Sequence, residues 1–355
     1  MYDLCVLFGM AKRGATLNPF NRFTENGWKF DAEVPPDERG NPKTVFIPDG
    51  SASVVSKNNS PDIPFEVSLN PYRGCEHGCV YCYARPTHEF LGYSPGVDFE
   101  TKILFKKNAA ELLRKEMAAK SWVPKHLMLS GVTDPYQPIE RKMKLTRSVL
   151  EVMVEARNPV VIITKNHLVT RDVDLLAELS EYACITVAIS ITTLDPTLTG
   201  VLEPRTSRPA RRLQAIRTLA DAGIPTGVMV APMIPGLNDH EMPDILKAAA
   251  DSGARFANYT LLRLPYSLKE MFSDWLEVHY PMRKTKILNR ILMYRNGKLN
   301  VSEFGERFKG QGPIADQIRD TFRIHVKKNG LNLNRPKMST EHFRRPELHG
   351  QQSLF

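Results

Sequence analysis

The 355-residue sequence contains only five cysteines and no long hydrophobic run. Five cysteines in a chain of this length, without a recognisable secretory signal, do not indicate the disulfide framework of a small secreted protein. No apolar stretch approaches the ~20 residues that a membrane-spanning helix needs. Low-complexity tracts and internal repeats are also lacking. We therefore expect a cytoplasmic protein in a reducing compartment that does not cross a membrane.

The overall composition is ordinary, but the positive charge is concentrated near the C-terminus. Apolar residues make up 42% and charged residues 25% of the chain, as in soluble globular proteins. Residues 281–355 contain 7 Lys and 9 Arg against 6 acidic residues, a balance of +10, whereas the whole chain carries +9. Such a segment suits a phosphate-rich partner such as nucleic acid, and a solvated basic face without a partner is the alternative. The aromatic candidates for base stacking are Tyr294, Phe304, Phe308, Phe322 and Phe343.

Three of the five cysteines lie within eight residues, as Cys75, Cys79 and Cys82 in a C-x-x-x-C-x-x-C spacing. Three thiolates on one short loop can bind three corners of an iron–sulfur cube, and a fourth protein ligand is missing. An iron without a protein ligand is open to a small molecule. The alternatives are a zinc site completed by His77 or His88, or a disulfide with one spare thiol.

From residue 65 onward, short β-rich runs alternate with helical stretches, which predicts parallel strands in right-handed βα units. The predicted strands are 65–69, 126–130, 160–164, 185–190, 226–231 and 256–262. The predicted helices are 108–120, 146–155, 172–182, 208–222 and 241–250. Six such units make a partial (βα)6 TIM-like barrel, so the fold class is α/β.

We divide the chain into three parts around this barrel. Residues 1–60 form an irregular N-terminal arm and a hairpin, 61–280 the partial barrel, and 281–355 a basic C-terminal extension. The hairpin is predicted from two β-rich runs in 43–55 around the turn residues 48–50. Polar residues follow most of the predicted barrel strands, and in parallel β/α folds these strand ends form the ligand-binding rim.

The cysteine loop resembles the signature loop of the radical S-adenosylmethionine (SAM) superfamily, with the aromatic Tyr81 just before the last cysteine. The resemblance implies a partial barrel and a [4Fe-4S] cluster on Cys75, Cys79 and Cys82. It further implies that the open iron binds S-adenosyl-L-methionine, which an electron from the cluster cleaves to methionine and a 5'-deoxyadenosyl radical. An electron donor of the flavodoxin or ferredoxin type is then the expected partner.

A pocket for S-adenosylmethionine needs a partner for each polar group of that molecule. We expect Lys165 to pair with the carboxylate, as a compact cation at the end of a strand. Thr133 and Ser190 are expected to hydrogen-bond the ribose or methionine ends. By resemblance Tyr81 lies beside the adenine, whose edge the backbone around Ala231 is expected to contact.

Residues for the substrate are less specific in the sequence. The candidate catalytic residues are Asp134, Tyr136, Glu140, Glu203 and Arg205, with Gln137 and Arg263 as further substrate-side groups. Acids and arginines at one rim suit proton transfer and anion binding, and structural ion pairs across strand ends are the alternative. We expect His77 to face solvent.

The strand-end motifs resemble the spore photoproduct lyase-like branch of the superfamily, within a bacterial subfamily without an assigned reaction. The branch's hydrogen-donating cysteine is replaced here by Gly131, so repair of the spore photoproduct by the same route is not implied. Cys184 is predicted to be a buried structural thiol at the opposite end of a strand. The leading hypothesis is hydrogen abstraction from an unidentified substrate, possibly a nucleic acid in a lyase or repair reaction. A non-catalytic iron–sulfur or zinc protein that binds nucleic acid or senses redox state is the alternative.

Overall fold

The computed structural model describes residues 13–24, 42–129 and 131–348. Cys5 and much of the predicted N-terminal arm lie outside these residues. The strands are β1 (Val45–Pro48), β2 (Val55–Lys57), β3 (Val67–Leu69), β4 (Tyr72–Arg73), β5 (Lys102–Phe105), β6 (Leu127–Leu129), β7 (Val160–Thr164), β8 (Ile185–Ser190), β9 (Thr226–Met233) and β10 (Phe256–Leu261). The α-helices are α1 (Val97–Thr101), α2 (Ala109–Ala118), α3 (Glu140–Met143), α4 (Leu145–Ala156), α5 (Val173–Glu181), α6 (Pro196–Leu202), α7 (Pro209–Asp221), α8 (Met242–Asp251), α9 (Leu268–His279), α10 (Pro281–Tyr294) and α11 (Gly312–Lys328). Short 3₁₀ helices span Arg85–Leu91, His167–Asp172 and Asp239–Glu241.

Six parallel strands stand side by side in chain order, β3, β6, β7, β8, β9 and β10. They are the six strands predicted from the sequence, within a few residues of the predicted bounds, and the helices between them are also confirmed. β2 adds an antiparallel strand next to β3 at the edge of the sheet. Sequential parallel strands with intervening helices are the arrangement of a partial (βα)6 barrel.

The central strands are buried on both faces, which explains why their sequences are continuously apolar rather than alternating. All six residues of β8 are buried. The helices bury one stripe each, and α8 does so through Met242, Ile245, Leu246 and Ala249, a spacing of three, four and seven residues. The core therefore lies between the sheet and the surrounding helices.

The predicted hairpin at 43–55 is wrong. β1 and β2 are both strands, but β1 pairs in parallel with β5 in a separate three-stranded sheet, whereas β2 pairs with β3 in the main sheet. Residue preferences indicated that both segments are extended, but they carry no information about which distant strand offers its hydrogen bonds.

The C-terminal extension packs against both ends of the barrel. Near the rim, the Leu261 amide donates to the Phe308 carbonyl at 2.9 Å. At the opposite end, the Ser339 amide donates to the Ala183 carbonyl at 2.9 Å, next to the buried Cys184. Within the described residues, no helix is long and apolar enough to span a bilayer.

Candidate functional site

The three clustered cysteines lie on a loop that begins directly after β4. Gly74 and Gly78 adopt φ angles of 79° and 70° in this loop, a conformation that only glycine adopts at little cost. A Cβ atom on Gly78 would lie 2.8 Å from a carboxylate oxygen of Glu100. The Cys75 amide donates to the Phe99 carbonyl at 2.8 Å. The turn chemistry of the sequence therefore sets the path of the cysteine loop.

All three thiols line one cavity of about 280 Å³ at the carboxyl ends of the parallel strands. The same cavity is lined by each of the five residues predicted to contact S-adenosylmethionine: Tyr81, Thr133, Lys165, Ser190 and Ala231. They come from the cysteine loop and from the ends of four strands, the place where parallel β/α folds bind ligands. The structure thus brings the predicted metal ligands and the predicted cofactor residues together.

The donor set of this cavity fits an iron–sulfur cube. Cys75, Cys79 and Cys82 are free thiols, and burial raises the pKa of each of them, so iron must displace their protons when it binds. Among the described residues, no group of three His, Cys, Asp or Glu side chains is arranged to hold a single metal ion. In a four-iron cube each thiolate binds a different iron atom, so the sulfurs need not converge on one point.

His77 is buried, which corrects the expectation that it faces solvent. Its side chain is only 2% exposed. One ring nitrogen lies 3.4 Å from a carboxylate oxygen of Asp134, and the other lies 3.3 Å from the amide nitrogen of Asn166. The end of the neighbouring strand supplies this carboxylate, which a single-loop view of the sequence does not reveal. Both nitrogens of His77 are thus engaged by protein groups.

His88, the other histidine considered as a zinc ligand, lies outside the cavity lining. It is fully buried in the 3₁₀ helix Arg85–Leu91 and packs edge-on against Phe99 at a ring-centroid distance of 5.5 Å. Burial lowers its pKa to about 4, which keeps the imidazole neutral at physiological pH.

Tyr81 is held in place by a buried charge network behind the cavity. Its hydroxyl donates to Glu203, which also accepts from the Thr192 hydroxyl at 2.6 Å and from Arg212. Burial opposes ionisation of Glu203, but the positive charges of Arg212 and Lys165 outweigh it and hold its pKa at about 2. Glu203 therefore remains a carboxylate and anchors Tyr81.

Lys165 follows β7 and carries its ammonium group beside the Tyr81 ring, 5.8 Å from the ring centroid. Its backbone amide donates to Asp134 at 2.8 Å. Asp134 also accepts from the Thr164 hydroxyl at 2.7 Å. Burial would raise the pKa of Asp134, but His77 and these donors lower it below its usual value. Asp134 ties together the ends of two strands and the cysteine loop.

The remaining predicted cofactor residues are also positioned by backbone contacts. The Thr133 hydroxyl donates to the Tyr72 carbonyl at 3.1 Å. Ser190 ends β8, and its carbonyl accepts from Arg212 at 2.9 Å. The Ala231 carbonyl oxygen lies 2.9 Å from the hydroxyl oxygen of Thr192.

The five candidate catalytic residues are not brought together. Only Asp134 lines the cavity. Tyr136 and Glu140 are fully buried beneath the rim, and Glu140 accepts from Arg171 at 2.7 Å. Arg205 donates to Glu76 at 2.7 Å, and Glu203 belongs to the network behind Tyr81. Gln137 is also buried, where it bonds the backbone of Gly74 and Glu76 at 3.1 and 2.9 Å.

Sequence reasoning missed two aromatic residues of the cavity, Tyr83 and Phe308. Tyr83 directly follows the last cysteine, and this position in the sequence is enough to predict that it lies near the cavity. Phe308 was noted only as a candidate for base stacking, and no pattern in the sequence places residue 308 beside the cysteine loop. It lies there because its carbonyl pairs with the end of β10.

Comparison with known proteins identifies relatives in other organisms. An uncharacterised protein of Mycobacterium tuberculosis is 37% identical over 225 residues, which cover 63% of this chain and 66% of the relative. The matched region thus spans slightly less than two thirds of that mycobacterial protein. An uncharacterised protein of Methanocaldococcus jannaschii is 30% identical over 227 residues, which cover 64% of this chain and 81% of the relative.

Solved structures share the fold. A spore photoproduct lyase variant with bound AdoMet and dinucleoside spore photoproduct superimposes with a TM-score of 0.56 over 82% of this chain and 86% of that chain. The sequence identity is 19%, so the likeness concerns the fold. Residues 69–249 match the family model described as the Radical SAM superfamily, a region that contains the cysteine loop and the four parallel strands β6 to β9. With this match over half of its length, the chain belongs to the radical SAM superfamily, whose cofactors are a [4Fe-4S] cluster and S-adenosyl-L-methionine.

Proposed function

We propose that the chain is an enzyme that cleaves S-adenosylmethionine reductively and abstracts a hydrogen atom from a substrate that shares the same cavity. The observation that carries this proposal is the single cavity lined by three thiols and by all five predicted cofactor residues. When bound, the cluster and its cofactor supply a 5'-deoxyadenosyl radical after one-electron reduction. A flavodoxin- or ferredoxin-type protein is the proposed electron donor.

The chain's own residues bind and orient the cofactor in this proposal. Cys75, Cys79 and Cys82 hold the cluster. Lys165 pairs with the carboxylate of S-adenosylmethionine, and Tyr81 lies against the adenine.

Thr133 and Ser190 donate or accept hydrogen bonds at the ribose or methionine ends. The backbone around Ala231 contacts the edge of the adenine. Asp134 is the one candidate catalytic residue that lines the cavity, and we assign it first to positioning His77 and the strand ends.

The test is production of 5'-deoxyadenosine from S-adenosylmethionine by the anaerobically reconstituted, dithionite-reduced protein. We expect Cys79→Ala to lose this product because one iron loses its ligand. Cys184→Ala is the matched control, since Cys184 is a buried thiol outside the cavity lining, and it should retain the product. A fully loaded wild-type cluster that yields no deoxyadenosine would overturn the proposal. It would favour the alternative of a non-catalytic iron–sulfur protein, and metal analysis with visible spectroscopy separates iron–sulfur from zinc.

Nucleic acid is the proposed substrate class, with a lyase or repair-like reaction, supported by the basic C-terminal extension. The structure limits the number of aromatic side chains that can stack on the bases of a nucleic acid. Tyr294 is fully buried, and Phe322 packs against Tyr259 with ring centroids 4.7 Å apart. Phe304 is 59% exposed, and Phe308 lines the cavity. Phosphate contacts are therefore the better supported part of this proposal.

A cytoplasmic location is also a proposal. It is supported by the four described cysteines, none of which is in a disulfide, because disulfides are rare in reducing compartments.

A further inference from the structure

Arg263 is a cation at the cavity that forms no ion pair with a carboxylate among the described residues. It lies two residues beyond β10, lines the same cavity as the three thiols and is partly buried. Its Nε–H group is buried and has no hydrogen-bond partner within the same residues. A buried N–H donor that lacks an acceptor is costly, because it has lost its hydrogen bonds to water without compensation. An acceptor from outside the chain would remove this cost.

The neighbouring arginines show that Arg263 differs from its surroundings. Arg307 is paired with Asp62, to which its Nε donates at 2.7 Å. Arg295 donates to the carbonyl of Leu262 at 2.7 Å and to a second carbonyl. The Nε of Arg295 also lacks a partner, but both of its terminal nitrogens are bonded, whereas no nitrogen of the Arg263 guanidinium donates a hydrogen bond within the described residues. Three arginines and one paired carboxylate leave this end of the cavity with an excess of positive charge.

The pKa of Arg263 is consistent with a cation that lacks compensation. Burial is the main cause that lowers this pKa, the positive charges of Arg307 and Arg295 lower it further, and Tyr83 and Asp62 partly oppose them. A bound anion would favour the charged form of Arg263. Geometry and charge therefore point the same way.

Two aromatic rings flank the guanidinium and fix its position. Its central carbon lies 4.9 Å from the ring centroid of Phe308 and 5.7 Å from that of Tyr83. Tyr83 donates from its hydroxyl to the Gly131 carbonyl and is 50% exposed. Cation–π contacts hold an arginine in place but satisfy none of its N–H groups. The terminal nitrogens of Arg263 make no hydrogen bond within the described residues and are not buried like the Nε, so they remain available to a ligand that enters past these rings.

We propose that Arg263 binds an oxyanion of the substrate, a phosphate or a carboxylate, with Tyr83 and Phe308 forming the walls of this subsite. The substrate role rests on the proposed function, whereas the anion site itself can be tested without turnover. A guanidinium matches both oxyanions because its planar fork presents parallel N–H donors. The subsite would place a substrate anion in the same cavity as the cysteine loop, and so set which part of the substrate faces the cofactor.

The rival within the same cavity is the carboxylate of S-adenosylmethionine. Lys165 is the cation assigned to that carboxylate, and it lies beside Tyr81 rather than Tyr83. If Arg263 served the cofactor instead, saturating S-adenosylmethionine would expel any other anion from it. Competition between the two ligands therefore separates the assignments.

The experiment measures binding of phenyl phosphate and of benzoate to the cluster-loaded protein under anaerobic conditions, with saturating S-adenosylmethionine present. The two probes share one ring and differ in the anion, so they distinguish a phosphate site from a carboxylate site, and benzyl alcohol is the neutral comparison. We expect one of the two anions to bind and benzyl alcohol to bind at least about tenfold more weakly.

Arg263→Gln is expected to weaken binding of the preferred anion about tenfold or more, because a charge-assisted hydrogen bond is lost. Arg263→Lys keeps the charge without the fork, so it should bind with intermediate affinity and also serves if the glutamine variant does not fold. Arg319→Gln is the matched control, because Arg319 is an exposed arginine on α11 that is paired with Asp316. It should bind the probe as the wild type does.

Three results would overturn the inference: neither anion binds, the glutamine and lysine variants bind the anion as tightly as the wild type, or saturating S-adenosylmethionine expels it. Deoxyadenosine formation, measured separately, tells the two proposals apart. If the protein binds an anion through Arg263 but never cleaves S-adenosylmethionine, the proposed function is rejected and the anion site remains supported. Cleavage of S-adenosylmethionine without anion binding would reject the anion site and leave the proposed function.

Discussion

At the scale of single residues, Glu203 shows how a carboxylate at the rim becomes a structural group. Glu203 accepts a hydrogen bond from the Tyr81 hydroxyl and forms an ion pair with Arg212. Its side chain therefore lies behind the cavity wall. Residue type and position near the predicted rim indicate a candidate acid, but they do not distinguish a side chain facing the ligand from one facing the core. Arg205 and Glu140 are further examples, since Arg205 is paired with the buried Glu76, and Glu140 is itself buried and paired with Arg171.

We expect Glu203→Gln to destabilise the protein by about 3 kcal/mol at neutral pH, because the pKa of Glu203 is about 2 and its usual value is near 4.3. A carboxylate with a lowered pKa contributes stability above its unfolded-state pKa, and this contribution is lost as pH falls through the folded-state pKa. The difference between wild type and variant should therefore shrink between about pH 4 and pH 2. Thermal unfolding of the cluster-free wild type and variant across this pH range measures it, so that loss of the cluster in acid does not enter the comparison.

The control for this prediction is Glu178→Gln, which alters an exposed glutamate on α5. A variant at Glu203 that unfolds like this control at every pH would contradict the proposed network.

At the scale of elements, the N-terminal arm and the cysteine loop share one buried carboxylate. Glu100 accepts from the amides of Gly14 and Ala15 at 3.1 and 2.8 Å and from Arg85 at 2.5 Å. Arg85 in turn donates to the Cys79 carbonyl at 3.0 Å. Residues 13–15 of the arm therefore pack against the back of the cysteine loop.

Gly14→Ala should loosen this packing, since a Cβ atom there would lie 1.5 Å from the Gly78 carbonyl oxygen. We expect a loss of about 1–3 kcal/mol in stability, as for other overpacked sites, and faster loss of the cluster to a chelator, followed by visible absorbance. Gly50→Ala is the matched control, because a Cβ atom there meets nothing within 4 Å. Equal rates of cluster loss in the two variants would show that the arm does not protect the loop.

At the scale of the whole molecule, the charge distribution predicts how a nucleic acid would bind. The logarithm of the association constant for a single-stranded oligonucleotide should fall linearly with the logarithm of salt concentration. Replacing Lys327 and Lys328, exposed at the end of α11, by Gln should reduce this slope by about one unit. The same replacement of Lys107 and Lys115, which are exposed just before and on α2 and lie outside the C-terminal extension, is the control. An association constant that does not change with salt concentration would rule out nucleic acid as the substrate class.

Features that depend on local interactions could be predicted from the sequence, whereas features that depend on contacts between distant segments could not. The six parallel strands, the cysteine loop and the strand-end residues were predictable, because apolar runs and turn residues report local conformation. Three features were not predictable from the sequence: the pairing of β1 and β2 with other strands instead of with each other, the buried position of His77 and the placement of Phe308. Each depends on a partner far away in the chain, namely β5, Asp134 and the end of β10.

The sequence by itself therefore determined the chemistry: three thiols at a spacing that suits a cube with one open iron, on a loop followed by βα units. Only the tertiary structure decided which polar side chains meet at the cavity. It separated Lys165 and Arg263, which line the cavity, from Glu203 and Arg205, which are held by buried partners. The physical reason is that spacing along the chain sets local geometry, whereas burial and pairing of charges depend on contacts between distant segments.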